Sequence, residues 1–230
     1  MKLSAAQIDH LYLFTRQHYV EYYDLQTELV DHLANAIELE WESNPTLSFE
    51  TLLNKEFKKF GVFGFMDVVE EKQKAMNKKY NNWVWNHFKA FFKLPKIIGT
   101  LLSTFILFQL MKTISVSNQM SSIFMFTILI FFFGGLIRMN KKRKKTAKEE
   151  GKKWLLKDII YGYSSITGMS YLPFQMFFQF EHHSNQFTVF LMSLFIVSML
   201  IIEYIIFFII PSKAEEYLEK TYPEYKVSNQ

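Results

Sequence analysis

Apolar residues recur at steps of three and four along the first eighty residues, and this spacing predicts amphipathic helices. Ser4 is placed to cap a first helix that runs to about Tyr19, and a second helix is expected over Tyr22–Glu42. Ser48 predicts the start of a third helix, with Gly61 placed to end it. A fourth helix is expected from about Phe63. We therefore predict a small all-α domain over residues 1–79.

Beyond residue 95 the pattern changes to four long apolar segments. They cover about 95–116, 120–138, 158–180 and 187–210. Each is close to the roughly 20 residues that an α-helix needs to cross the hydrocarbon of a bilayer. The sequence therefore predicts a four-helix transmembrane bundle over 97–210, followed by a cytoplasmic tail over 211–230.

Positive charge is concentrated between the second and third apolar segments. Residues 138–157, called the basic segment below, hold ten Lys or Arg residues, whereas the turns 115–119 and 181–186 hold none. Because Lys and Arg favour the cytoplasmic side, we expect the basic segment and both termini inside a bacterial-type inner membrane.

Residues 80–96 alternate aromatic side chains with Lys and Asn, which is typical of an amphipathic helix at the bilayer surface. A helix packed on the N-terminal domain is the alternative for this linker. The cations expected to contact lipid headgroups lie here and in the basic segment: Lys89, Lys93, Lys141, Lys142, Arg143, Lys144 and Lys145. The basic segment contains only one aromatic residue, Trp154. We therefore expect this segment to contact lipid headgroups rather than to bind nucleic acid.

The composition of the chain excludes several kinds of chemical site. The chain has no cysteine, which excludes disulfides, thiolate metal sites and thiol catalysis. Residues 1–79 contain nine basic and thirteen acidic residues, a net charge of −4. We find no nucleotide-binding loop and no nucleophile motif, so we expect no enzyme activity and no cofactor.

The second predicted helix reads ELVDHLANAIE from Glu28 to Glu38, and the third reads SFETLLNKEFKKFG from Ser48 to Gly61. In these helices the region resembles the HAAS domain, a helical signalling domain found beside PadR-type regulators and fused to membrane segments. The resemblance implies a cytoplasmic signalling or docking role. The candidate docking surface for a protein partner consists of Glu28, Asp31, His32 and Glu38. Glu28 and His32 share a helix face, but ion pairing on a solvated face is favoured over a metal site.

Apart from Asp158 at the start of the third span, Glu203 is the only acid within the predicted spans. Because an intramembrane carboxylate is costly without a partner, we predict a polar cluster of Glu203 with Tyr161, Ser164 or Ser165 of the third span. The cluster could fasten helices together or form part of a transport or proton path.

Three classes of function stay open on the sequence alone. A non-enzymatic membrane protein with a regulatory or adaptor role is favoured. A transporter or accessory permease subunit would use Glu203 and the polar third span. A metal-dependent membrane enzyme would use Glu181, His182 and His183, or Glu28 with His32. For the first set, a solvated loop without a metal is favoured over a metal site. Homo-oligomers are compatible with each class.

Overall fold

A computed structural model describes residues 2–114, 118–162, 185–222 and 225. Within these residues the protein is all-α, without β-strands, as predicted. The chain divides into two compact units. Unit 1 consists of Met1–Lys78 and Ala147–Asp158, and unit 2 consists of Lys79–Thr146 and Ile159–Gln230.

The first three helices of unit 1 confirm the predicted pattern. Helix α1 spans Ala5–Gln17, α2 spans Tyr23–Ser43 and α3 spans Phe49–Lys58. Ser4 caps α1 in a reciprocal capping box with Gln7, which satisfies two otherwise unpaired N–H groups. The apolar faces of these helices meet in a core in which Leu11, Leu25, Leu29, Leu33, Ile37, Leu52 and Leu53 are buried.

An aromatic cluster closes one side of this core. Phe65 is fully buried, with its ring centroid 4.9 Å from those of both Phe57 and Phe60. Gly64 has a φ of +56°, and a Cβ atom there would lie 2.8 Å from the Phe57 ring. Only glycine permits both this backbone conformation and this approach. The turn after α3 is thus built to bury Phe65.

Helix α4 spans Met66–Phe91 and contributes residues to both units. It joins the predicted fourth helix to most of the predicted linker 80–96, so the linker is not a separate segment. The reason is local, because no Gly or Pro interrupts these residues before Pro95. Helix α5 (Lys96–Ile114) follows after a bend of 80°.

Helix α6 spans Asn118–Glu150, 33 residues. It contains the predicted second span and most of the basic segment, so the helix continues well past residue 138, where the predicted span ends. Residues 138–150 extend it because they contain strong helix formers and no Gly or Pro. Gly151, with a φ of +61°, follows the helix end.

Helix α7 spans Leu155–Gly162 and α8 spans Gln186–Tyr204. The chain continues from α8 through a π-helical turn, Ile205–Ile209, and a short turn, Ile210–Ser212. Pro211 has no N–H to donate to the preceding turn, which accounts for the irregular hydrogen bonding there. Helix α5 packs along α8 around Leu107, Met111, Met192, Ile196 and Val197.

The last described helix, α9 (Ala214–Thr221), packs against α4 within unit 2. The Tyr217 ring stacks on Trp83 with centroids 4.0 Å apart, and the Tyr217 hydroxyl lies 2.9 Å from His87 Nε2. Lys79 Nζ donates to Thr221 Oγ1 at 2.9 Å. One face of the aromatic half of α4 is therefore covered by the C-terminal helix.

Among the described residues, one helix has the length and apolar character to cross a membrane. It covers Gln186–Ser212, with a mean hydropathy of 2.6, and the bent pair formed by α4 and α5 would supply a second. The core helix of a soluble protein can meet the same criteria. Most of the predicted third span lies outside the described residues, so the four-span bundle stays a prediction.

Candidate functional site

The most developed polar contact in unit 1 joins the start of α2 to residues 151–158, called the docked segment below. The Tyr23 N–H donates to the Lys153 carbonyl at 2.7 Å, and the Leu155 N–H donates to Asp24 Oδ1 at 3.1 Å. Leu155 is the first residue of α7, so its N–H has no acceptor within that helix. The buried Asp24 carboxylate supplies one, and its charge suits the positive end of the helix dipole.

Side chains reinforce this contact. Lys153 Nζ donates to Glu21 Oε2 at 2.6 Å, and the Tyr22 hydroxyl donates to Asp158 Oδ2 at 3.2 Å. The ring centroids of Trp154 and Tyr23 are 5.4 Å apart. Trp154, Leu155 and Leu156 are all almost fully buried. The docked segment is therefore part of the core of unit 1, although about 130 residues separate it from α2 in the chain.

Cations stack on both tyrosine rings at this site. Lys152 Nζ lies 3.9 Å from the Tyr23 ring centroid, and Lys153 Nζ lies 4.9 Å from that of Tyr22. Such cation–π contacts are worth about 0.5–1 kcal/mol each where they are exposed. They hold the basic residues that immediately precede α7 against the helical unit.

Burial raises the pKa of the Tyr22 hydroxyl, and the negative charge of Asp158 raises it further. For Lys153, burial alone would lower the pKa, but the hydrogen bond to Glu21 and the nearby Tyr22 and Asp158 raise it above its ordinary value. Both shifts keep a neutral tyrosine and a charged lysine near pH 7. The arrangement binds and positions a chain segment.

One sign of this contact is visible in the sequence, although our prediction did not use it. Trp154, Leu155 and Leu156 form an apolar triplet inside an otherwise basic stretch. Lipid contact was predicted for the basic segment because of its charge, whereas the triplet is buried and its Trp154 ring packs against Tyr23 of unit 1. A buried partner for it could not be located from periodicity, since α2 lies so far away in the sequence.

The predicted docking surface lies on α2 and is partly occupied by contacts within unit 1. Glu28 forms an ion pair with Lys72 at 2.6 Å, and Glu38 accepts a hydrogen bond from the Leu3 N–H at 2.9 Å. Asp31 and His32 are exposed, and the His32 ring meets Phe60 edge-on. The Glu28–Lys72 pair is of the kind expected from ion pairing on this face of α2, which we favoured over a metal site at Glu28 and His32. No group of three His, Asp or Glu able to hold a metal occurs in the described part of the chain.

The predicted intramembrane cluster is only partly visible. Glu203 and Tyr161 are both buried in unit 2, at 8% and 3% exposure. Ser164 and Ser165 lie outside the described residues, as do Glu181, His182 and His183. The polar cluster, the transport alternative and the metal alternative at the two histidines therefore stay predictions.

The predicted headgroup cations lie on α4, on α6 and, in the case of Lys93, in the bend between α4 and α5. Lys89, Lys93, Lys141, Lys144 and Lys145 are exposed. In unit 2, Lys142 Nζ lies 5.0 Å from the Tyr161 ring centroid, and the Arg143 guanidinium lies against Gly162, 3.3 Å from where a Cβ atom would be. Two of the seven thus contact the C-terminal end of α7, and lipid contact stays a prediction for all seven.

No protein-family model, curated protein or solved structure matches this chain. The HAAS resemblance of α2 and α3 accordingly stays a prediction. The observed helix boundaries are compatible with it but do not test it.

Proposed function

We propose that this chain is a non-enzymatic, multi-pass membrane protein whose cytoplasmic helical unit acts as a regulatory adaptor. The observation that carries the proposal is the docked segment. A helical unit with an exposed acidic surface holds residues 151–158, and these lead directly into the predicted third span. A partner that binds the unit could therefore change how firmly the start of that span is held.

The membrane part of the proposal is supported by the apolar side chains that unit 2 exposes. On α5, α6 and α8 they leave between 36% and 72% of their surface uncovered. They are Ile98, Leu101, Leu102, Phe105, Ile106, Leu110, Phe126, Ile130, Phe131, Phe133, Ile137, Phe187, Phe190, Leu191 and Phe195. Apolar surface on this scale is rare on soluble monomers, and lipid would cover it. The four-span bundle, with both termini in the cytoplasm, is the arrangement that we propose.

The adaptor part is supported by charge. Unit 1 exposes Asp31 and His32 beside Glu28 on one face of α2, while the first turn of the same helix holds the docked segment. The proposed partner-binding face and the first turn that holds the docked segment therefore belong to the same helix, α2. A basic surface on a cytoplasmic partner would complement the acidic face.

Photo-crosslinking in intact cells tests this proposal. A photoreactive amino acid replaces Asp31, and a matched control carries it at Glu42, which is also exposed but lies at the far end of α2. We expect one discrete adduct at position 31 that weakens when Glu28 is changed to Ala, and none at position 42. Trypsin should also cut after Lys153 at a different rate in the crosslinked molecules, since both contacts use α2. An adduct at both positions, or an unchanged rate at Lys153, would contradict the adaptor role.

A further inference from the structure

Unit 2 contains a pocket of about 550 Å³ beside the bend between α4 and α5. Its walls come from the end of α4, the first two turns of α5, α8 and the π-helical turn. The lining residues are Phe91, Pro95, Lys96, Gly99, Thr100, Ser103, Val197, Ile201, Tyr204 and Ile209. This volume lies within the range of small-molecule sites, which is about 300–1,000 Å³.

The lining combines one cationic side chain with several apolar ones. Lys96 is the one charged residue of the lining, and its Nζ lies 4.9 Å from the Phe91 ring centroid. Lys96 is also the first residue of α5, so the positive end of that helix adds to its charge. Val197, Ile201 and Ile209 are aliphatic lining residues, called the apolar floor below. The lining is therefore complementary to a ligand with an anionic group at one end and hydrocarbon at the other.

Two backbone features keep the pocket open. A Cβ atom on Gly99 would meet nothing within 4 Å, so the missing side chain leaves space rather than allowing close packing. In the π-helical turn the Ile210 N–H donates to the Ile205 carbonyl, five residues back. This hydrogen bonding brings residues five apart towards the same side of the helix, and Tyr204 and Ile209 accordingly line one wall.

We propose that this pocket binds one anionic phospholipid, with its phosphate at Lys96 and the start of an acyl chain along Val197, Ile201 and Ile209. The inference rests on the proposed membrane location. A free phosphate would leave the apolar floor unused, and a zwitterionic lipid such as phosphatidylcholine would bring a second cation close to the Lys96 ammonium. The exposed aliphatic surface of α5 next to the pocket gives a bilayer lipid a continuous apolar path to it.

Native mass spectrometry of the full chain in a neutral detergent can count bound lipids. The probes are phosphatidylglycerol and phosphatidylcholine with identical acyl chains, each added in increasing amounts, and glycerol phosphate as a headgroup without chains. Two variants address the pocket: Gly99→Leu fills the space, and Lys96→Gln removes the charge. Their matched controls lie outside it. Gly134→Leu changes a helical glycine that also has open space, and Lys112→Gln removes another exposed cation of α5, which lies over the Phe108 ring as Lys96 lies over that of Phe91.

We expect the wild-type chain to bind one phosphatidylglycerol roughly tenfold more tightly than phosphatidylcholine, the ratio that about 1.4 kcal/mol supplies. Gly99→Leu should abolish the single bound lipid, Lys96→Gln should remove the preference for phosphatidylglycerol, and neither control should change binding. Equal loss in Lys112→Gln would show a diffuse surface attraction and overturn the site. So would competition by glycerol phosphate, or unchanged binding in Gly99→Leu. A chain recovered in the soluble fraction would instead overturn the proposed membrane location.

Discussion

His87 lies in the aromatic half of α4, with its Nε2 atom against the Tyr217 hydroxyl of α9. Burial lowers the pKa of His87 below the ordinary value of about 6.5, and the nearby charges of Lys213 and Lys96 lower it further. The packed state therefore favours the neutral imidazole. A titrating residue thus sits in the contact that holds the C-terminal helix.

The pH dependence of this contact follows from the direction of the shift. Because the pKa of His87 is lower when α9 is packed, the released state binds more protons, and packing weakens as pH falls below about 6.5. We expect a bimane label on Thr221→Cys, in a chain without other cysteines, to be quenched by Trp83 at pH 7.5 and to brighten toward pH 5.5. His87→Gln should flatten the profile.

His10→Gln is the control for that experiment, since His10 is an exposed histidine of unit 1. It should leave the bimane profile unchanged. An acid-induced rise of equal size in His87→Gln would show that another group controls the release of α9.

At the scale of helices, the sequence predicted correctly those features that depend only on residues within one helix. Ser4 and Ser48 set the starts of α1 and α3, and the apolar steps of α2 appear directly as its buried face. Charge was a poor guide to element boundaries. The basic residues after Arg138 continue α6 because each of them forms helix well, whatever surface they face.

The candidate site was predictable only in part, for a physical reason. Asp31 and His32 are exposed, as an acidic helix face implies. The role of Asp24 could not be inferred, since an acid in a first turn normally stabilises its own helix, and this one accepts from the first N–H of α7. Long-range partners of this kind leave no periodic trace in the sequence.

The docked segment is held in part by the hydrogen bond from the Leu155 N–H to the Asp24 carboxylate. Asp24→Ala leaves the buried Leu155 N–H without it, which costs about 1–3 kcal/mol. Since proteolysis follows the population of opened molecules, we expect trypsin to cut after Lys153 between about fivefold and 150-fold faster, measured against cleavage after Lys220 in α9. Asp24→Asn keeps an acceptor oxygen and should have a smaller effect.

Asp31→Ala is the matched control, because Asp31 is an exposed acid on the same helix. Its cleavage rate should equal that of the wild-type chain. If Asp24→Ala retains its helix content and is cut no faster than Asp31→Ala, the hydrogen bond does not hold the segment.

At the scale of the whole molecule, the proposed topology places unit 1, residues 138–157 and α9 on one side of the membrane. The absence of cysteine makes this testable with single substitutions. A membrane-impermeant maleimide should label Gln186→Cys in intact cells and should label Lys144→Cys only after lysis. Asp31→Cys should behave as Lys144→Cys does. Labelling of Lys144→Cys in intact cells would contradict the positive-inside assignment.

The distance along the chain between Asp24 and Leu155 also governs when unit 1 can be completed. Their hydrogen bond joins residues 131 positions apart. At a synthesis rate of about 5–20 residues per second, α2 is made roughly 7–26 s before its acceptor carboxylate meets Leu155. During that interval Tyr23 and Asp24 lack their contacts with the docked segment, while the two predicted spans that precede this segment are being made. In the proposed topology, completion of unit 1 therefore follows insertion of the first predicted hairpin, and a chain that stops before residue 155 lacks the hydrogen bond between Leu155 and Asp24.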